Sequence, residues 1–466
     1  MTAADPVAPS THRTRKAPNP WRVAVIAGMA SFIDAAAIAG TGTALVLFQG
    51  ELGLTGDQIG QLSALLTFTI AIGAFIGGRL GDRFGRRRVF TVTLALAAIG
   101  AALATFAWDP AVLYVALALI GFGTGADLPV SMAMISESAP ESKRGKMITF
   151  SHVLWMVGIV AVIVLGIVAG GLGGVGARAI YGFVVVVSAI TLLLRATLPE
   201  SEEWRRANEA RTASIASVDG AGDIGALGRL FRSRFVLPLI ALGLFYALIN
   251  VSANTMGQFG TYLYVNVAGS DVSTASALSL IGLAMSFVGM FTLMRVVDTR
   301  FRMVGFAIAS VLSLGALVLP LTLGVTVPIL VLSSIIGALG GAVAGEPMFK
   351  VWAQELFPTL YRSSAQGIMI AFTRVIAAVA ALFTPALIAV SPQVLYGVLT
   401  AATAAALAIG MFWVARIRKA EGEAGVGATG DVVAVEGDAI VEAEAEADAP
   451  GRAAADADAV PAAETR

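Results

Sequence analysis

Apolar residues in this chain neither alternate with polar ones nor line up as one stripe per helical turn; they come in blocks. Each block holds about 20 mostly apolar residues, enough for a helix to cross the roughly 30 Å hydrocarbon core of a bilayer. The blocks fall at about 22–48, 60–78, 89–108, 111–136, 147–170, 179–197, 235–265, 273–294, 302–322, 327–356, 363–389 and 393–415. Strands of a membrane barrel are short and alternate apolar with polar residues. The pattern therefore predicts an all-α integral membrane protein with twelve transmembrane helices. Blocks longer than about 25 residues predict tilt or extension past the bilayer.

The distribution of charge supports that count. Only 13% of residues are charged, against about 25% in a soluble domain. If the spans alternate, nearly all basic residues fall on one side. Arg13, Arg15, Lys16 and Arg22 precede span 1, five arginines from Arg79 to Arg88 lie between spans 2 and 3, and Lys143, Arg144 and Lys146 follow span 4. Arg195 to Arg234 follow span 6, Arg295 to Arg302 follow span 8, Arg362 follows span 10, and Arg416, Arg418 and Lys419 follow span 12. The opposite loops hold Arg178 alone. The positive-inside rule then puts both termini in the cytoplasm and the protein in the cytoplasmic membrane. The first 20 residues lack the apolar core and cleavage site of a signal peptide. Without cysteine and with two histidines, the chain offers no thiolate site and little for a metal centre, and neither metal nor cofactor is expected.

Two features organise the chain. From Ala420 onward there are twelve acidic residues against Arg452 and Arg466, a composition that predicts a disordered tail over 420–466. In addition, Pro129, Glu137, Pro140 and Arg144 are matched by Pro347, Glu355, Pro358 and Arg362, each pair 218 apart, and Asp82 and Asp298 are 216 apart. The expected organisation is an N-terminal tail (1–21), a six-helix bundle (22–197), a cytoplasmic linker (198–234), a second six-helix bundle (235–419) and the tail. Parallel six-helix repeats are a transporter architecture.

Five charged residues interrupt the apolar blocks: Asp34, Asp127, Glu346, Lys350 and Arg374. A charge at mid-bilayer costs at least about 2.5–3.5 kcal/mol, so each should face a cavity or a partner. An apolar medium favours the neutral form of a carboxyl, which makes Asp34 a proton-coupling candidate; the alternative is a permanent ion pair with Arg374. Asp127 has Thr124 and Ser131 on its face and reads as a second proton site, a substrate contact or a cavity-lining hydrogen-bond group. Glu346 and Lys350 are four apart, so they either neutralise each other or release Lys350 to bind an anion. Arg374 admits the same two roles. Asn250, Asn254 and Gln258 form an i, i+4, i+8 stripe suited to hydroxyl-rich substrates or to interhelical bonding.

The segment "GRLGDRFGRRRV" (Gly78–Val89) resembles the signature loop between the second and third helices of the major facilitator superfamily. In that family the loop latches the halves in the outward-facing state. The resemblance implies this role for Asp82, Arg83 and Arg86, with Gly78, Gly81 and Gly85 permitting close packing. "E..P...RG" at Glu137–Gly145, its repeat at Glu355–Ser363, and "LPESEEW" at Leu198–Trp204 are similar to the sugar porter and metabolite:proton symporter branch. That similarity adds Glu137, Arg144, Glu355 and Arg362 to the latch. "SFIDAAAIAG" is similar to a sugar-porter segment at Asp34, Ile38 and Gly40, and His152 occupies the place of a sugar-binding Gln. Trp155, one turn on, is positioned to stack on a ring. The chain departs from the branch at Leu117, where sugar porters carry an arginine; Arg374 is the candidate substitute. Helices 1, 4, 7 and 10 line the cavity in this superfamily, which favours substrate contact for the Asn250 stripe.

Together these readings predict a secondary transporter for a small polar metabolite, working by alternating access with proton symport. A sugar or polyol is the first substrate, and an organic acid, an efflux antiporter or a nutrient sensor are the alternatives. The expected partners are the substrate, protons and lipid, with no nucleic acid, and the expected state is a monomer. No Ser/His/Asp, metal-ligand or phosphate-binding constellation suggests an enzyme.

Overall fold

The computed structural model describes residues 19–140, 143–202, 204–205, 235–297, 299–357 and 359–417, with only the backbone of Asp82, Arg144, Gly145, Thr149, Gln354 and residues 359–364. Most of the expected N-terminal tail and linker, and all of the acidic tail, lie outside these residues.

The first half contains α1 (Pro20–Leu52), α2 (Gly56–Phe84), α3 (Arg86–Thr105), α4 (Pro110–Ser138), α5 (Arg144–Ala169) and α6 (Gly174–Ala196). The second contains α7 (Val236–Tyr262), α8 (Val272–Val296), α9 (Arg302–Leu323), α10 (Val327–Ala344), α11 (Glu346–Leu356), α12 (Thr359–Val390) and α13 (Pro392–Ala408). Twelve stretches of the described residues are long and apolar enough to cross a membrane, in agreement with the apolar blocks. Helix starts follow local chemistry. The Asn19 and Asp109 side chains accept from the first turns of α1 and α4, both opened by proline, and Thr55 with Gln58 forms a capping box on α2.

Span 10 is the exception to the predicted helices. The sequence predicts one helix over 327–356, but the chain breaks at Gly345 (φ −101°, ψ −140°), and α11 starts at Glu346. Pro347 has no N–H to donate, and the break lets it sit in a first turn where none is needed. Its repeat counterpart, Pro129, lies inside an unbroken α4. The residue two before each proline differs, Asp127 in one half and Gly345 in the other. Glycine reaches the extended ψ at low steric cost.

Within the first half, glycines bring backbones into contact. A Cβ on Gly121 would lie 2.6 Å from the Leu66 carbonyl oxygen, and one on Gly125 only 2.2 Å from that of Ile70. This is small-residue packing of the kind that membrane helices use in place of a hydrophobic drive.

The closest approaches between the halves gather on the face opposite the one where α1 begins. Thr43 and Thr261 meet at 3.3 Å between their hydroxyls, and Asn266 donates to Gln49 at 2.9 Å. Thr43 and Thr261 are 218 apart, the repeat spacing. A residue touches its own repeat counterpart only where a two-fold axis passes between them, so this contact marks the axis. Gly60 against Pro385 and Gly166 against Ser276 interlock on either side of it.

Gly42 packs on α7 so tightly that a Cβ there would lie 2.5 Å from the Gln258 carbonyl oxygen. Gly42→Val is therefore expected to hold this face open. The chain lacks cysteine, so a single Asn254→Cys reports on it directly. A membrane-impermeant thiol reagent added on this face should label the Gly42→Val background several-fold faster. Equal rates in both backgrounds would show that the closure does not depend on Gly42.

Candidate functional site

Asp34 lies in the middle of an alanine-rich α1 and is 1% exposed. Trp155 of α5 hydrogen-bonds to its carboxylate, and its Oδ1 has no partner. The cation acting most strongly on it is Arg374, from α12 of the other half. No direct ion pair joins Asp34 and Arg374, so the permanent lock weighed from the sequence is not what the structure contains.

Glu346 and Lys350 pair at 2.8 Å on α11, with 44% and 51% of their side chains exposed to the central space. The break at Gly345 leaves Glu346 in the first turn of α11, where the helix dipole favours a carboxylate. Tyr246 of α7 hydrogen-bonds to Glu346, and its ring stacks on Phe349 at 3.9 Å. From the first half, His152 stacks on Trp155 with ring centroids 5.6 Å apart, and the charges of Lys350 and Glu346 reach it. Asp34, His152, Trp155, Glu346, Lys350 and Arg374, six residues named from sequence, thus converge with Tyr246, which was not. They come from α1, α5, α7, α11 and α12.

The amide stripe on α7 is a ladder. Asn254 donates to Asn250 at 2.8 Å, and Gln258 donates to Asn254 and to Thr67 of α2, each at 2.9 Å. Gln258 is therefore engaged across the closed face, whereas Asn250 lies at the central space.

Asp127 requires a correction. It does not face the central space; it turns towards α3 and α6 and forms a two-pronged ion pair with Arg195, at 2.6 and 2.7 Å. The side chains are 3% and 0% exposed. Ser131 donates to Asp127, and Arg195 also donates to the Phe90 carbonyl and lies over the Phe90 ring. This buried carboxylate has both oxygens engaged and serves as the counter-ion of Arg195 instead of lining the central space. The same finding corrects Arg195, which the positive-inside assignment counted as a loop cation. It sits at the end of α6, and its long side chain points back into the bundle.

The latch residues form equivalent pairs in the two halves. Arg86 contacts Glu137 through Nε at 3.1 Å and a terminal nitrogen at 2.9 Å, and Arg302 pairs with Glu355 at 2.5 Å. Each pair closes within its own half. Gly85 has φ +99°, and a Cβ there would lie 2.6 Å from Glu200, so only glycine fits. Glu200 in turn accepts from the backbone N–H of Arg87, so the two sequence motifs are one structural unit. Gly81 packs on Val130 and Gly78 has space around it. Arg83 is exposed beside the Phe84 ring. The Asp82, Arg144 and Arg362 side chains lie outside those described. Among the described residues, no group of three or more His, Cys, Asp or Glu is placed to hold a metal.

Comparison with known proteins agrees with the twelve-helix fold. The sequence profile of the Major Facilitator Superfamily matches residues 27–359. The chain is 30% identical over 366 residues to the minor myo-inositol transporter IolF of Bacillus subtilis (strain 168), covering 78% of this chain and 83% of that protein. It is 23% identical over 348 residues to the arabinose-proton symporter of the same organism, covering 67% and 74%. The crystal structure of a D-xylose-proton symporter superposes with a TM-score of 0.66 at 19% identity, covering 84% of this chain and 97% of that one. An inward open conformation of the xylose transporter XylE from E. coli gives 0.66 at 16% identity, covering 84% and 96%.

The Asp127–Arg195 pair has a measurable signature. Asp127→Asn leaves a buried guanidinium without its counter-charge and is expected to cost about 3–5 kcal/mol of stability. The double variant Asp127→Leu/Arg195→Met should recover most of that loss. Denaturant unfolding in detergent micelles reads both. A proton-carrying Asp127 would leave the asparagine variant nearly as stable as the parent.

Proposed function

The chain belongs to the major facilitator superfamily, whose members are transporters rather than enzymes, and on that premise we propose that it carries a sugar or cyclic polyol across the cytoplasmic membrane by alternating access coupled to proton symport. The observation that carries this reading is Asp34: a buried carboxylate in mid-membrane, with an oxygen left unpartnered and its strongest cation in the opposite half.

Charge on Asp34 draws α1 towards Arg374 on α12, and a proton cancels that attraction. A group whose charge links the two halves couples proton uptake to their relative position. The Leu117 departure fits the same scheme, because the cation comes from the second half rather than from α4. With one face closed around Thr43 and Thr261 and the latch pairs closing within their own halves, the central space opens on the other face. The basic loops assign that face to the cytoplasm. The two six-helix halves rock as bodies about the closed contact, and the Asp82–Arg83–Arg86 loop secures the reverse state. One chain supplies every group in the site, so a monomer suffices.

Substrate class follows from charge balance. Lys350 is paired with Glu346, and Arg374 lies between the fields of Asp34 and Glu346. While Asp34 is ionised, the described charges of the cluster balance and leave no cation over for an anion, which favours a neutral hydroxylated solute over an organic acid. Asn250, Asn254 and His152 offer donors and acceptors to hydroxyls, and Trp155 offers a flat face to a ring. The similarity to an inositol transporter and to an arabinose-proton symporter supports both parts of the reading.

In proteoliposomes, Asp34→Asn is expected to reduce pH-driven accumulation of the substrate at least tenfold while leaving counterflow exchange near the parent rate. Retained uphill accumulation would remove Asp34 from coupling. Asp82→Asn is expected to slow turnover several-fold with binding affinity unchanged. Full-rate transport by that variant would exclude the latch.

A further inference from the structure

Arg374 stands apart from the other cations inside the membrane. Lys350 is held by Glu346 at 2.8 Å and Arg195 by Asp127 at 2.6 Å. Among the described residues, no carboxylate or carbonyl oxygen bonds to the Arg374 guanidinium, which lies partly buried in the middle of α12. None of its nitrogens is both sealed from water and unpartnered, in contrast to Nε of Arg195. A guanidinium with an open side is a receptor for a planar oxyanion, because its fork of N–H donors meets a carboxylate in two parallel bonds.

The charges around Arg374 fix how much negative charge such a ligand carries. Asp34 of α1, Tyr246 of α7 and Glu346 of α11 lie within its field, and Asp34 also feels Asp127 of α4 and the Trp155 N–H of α5. His152 of α5 faces Lys350 and Glu346 and adds no charge as a neutral imidazole. Asp127 is cancelled by Arg195 and Glu346 by Lys350, so the balance turns on Asp34 and Arg374 alone. With Asp34 ionised the sum is zero. A proton on Asp34 leaves one positive charge over, centred on Arg374. A monoanion restores neutrality, and a dianion such as a phosphate monoester overshoots it.

We propose that the proton-loaded site binds hydroxylated monocarboxylates, the class of uronates and aldonates, with the carboxylate on Arg374 and the hydroxyls at Asn250 and His152. The proposal rests on the reading of Asp34 as the proton carrier and of the substrate as a hydroxylated solute. It widens that solute class from neutral sugars and polyols to their acids. Proton and acid then occupy the site together as a neutral pair.

The test measures binding of D-glucuronate, its neutral amide D-glucuronamide and myo-inositol to the full-length protein in lipid nanodiscs at about pH 7.5, where a sugar acid is ionised. Asp34→Asn keeps position 34 neutral and imitates the proton-loaded state. It is expected to bind glucuronate at least tenfold tighter than the parent does, and at least tenfold tighter than it binds glucuronamide. Adding Arg374→Gln is expected to erase both gains. The acid–amide comparison within Asp34→Asn stands even where the double variant does not fold. If neither neutral compound binds the parent while glucuronate shows both gains, the carboxylate subsite stands and the neutral-solute reading falls. If glucuronate fails to bind, gains nothing in Asp34→Asn, binds that variant no tighter than the amide does, or keeps its gains in the double variant, the subsite is refuted, whatever the neutral compounds do.

Discussion

A charge inside a bilayer must be answered, and the ways in which this chain answers its charges set the character of each region. Asp127 and Arg195 answer each other completely, in a shell of further hydrogen bonds, and so become part of the first half's framework. Glu346 and Lys350 answer each other on an open face, where water and solute also reach them. Asp34 is answered only in part, by a hydrogen bond from its own half and a distant cation in the other. The three arrangements form a series from fully paired to partly paired.

The two halves are built on one repeat and packed differently. In the first, glycines at Gly73, Gly77, Gly121, Gly123 and Gly125 bring helix backbones into contact, and the paired Asp127 and Arg195 fill the space between α3, α4 and α6. In the second, the counterpart of Asp127 is Gly345, which breaks the helix where the first half keeps it whole. The same substitution removes the ion pair and introduces the break that presents Glu346.

The spans, the repeat and the family were all legible in the sequence because they are written in long-range composition. Twenty apolar residues in a row have few structural outcomes, and four anchors at one spacing have few explanations. Asp34, His152, Lys350 and Arg374 could be named because a polar group in an apolar block is conspicuous. Arg195 was missed for the opposite reason: at the end of a span an arginine looks like a loop cation, and only its length and direction reveal that it turns inward. The break at Gly345 was missed because Gly-Glu-Pro differs little in hydropathy from the kinked but continuous segment around Pro129.

The threonines that meet on the two-fold axis impose a rule of self-recognition. At that point one repeat faces its own image, so any side chain there must be compatible with itself. A carboxylate would face a carboxylate and an ammonium an ammonium, both repelling. A hydroxyl both donates and accepts, and so does a side-chain amide. Thr43 against Thr261 uses the first, and Gln49 with Asn266, one position off the repeat spacing, uses the second beside it. The axis therefore behaves as the seam of a symmetric dimer recorded in a single chain.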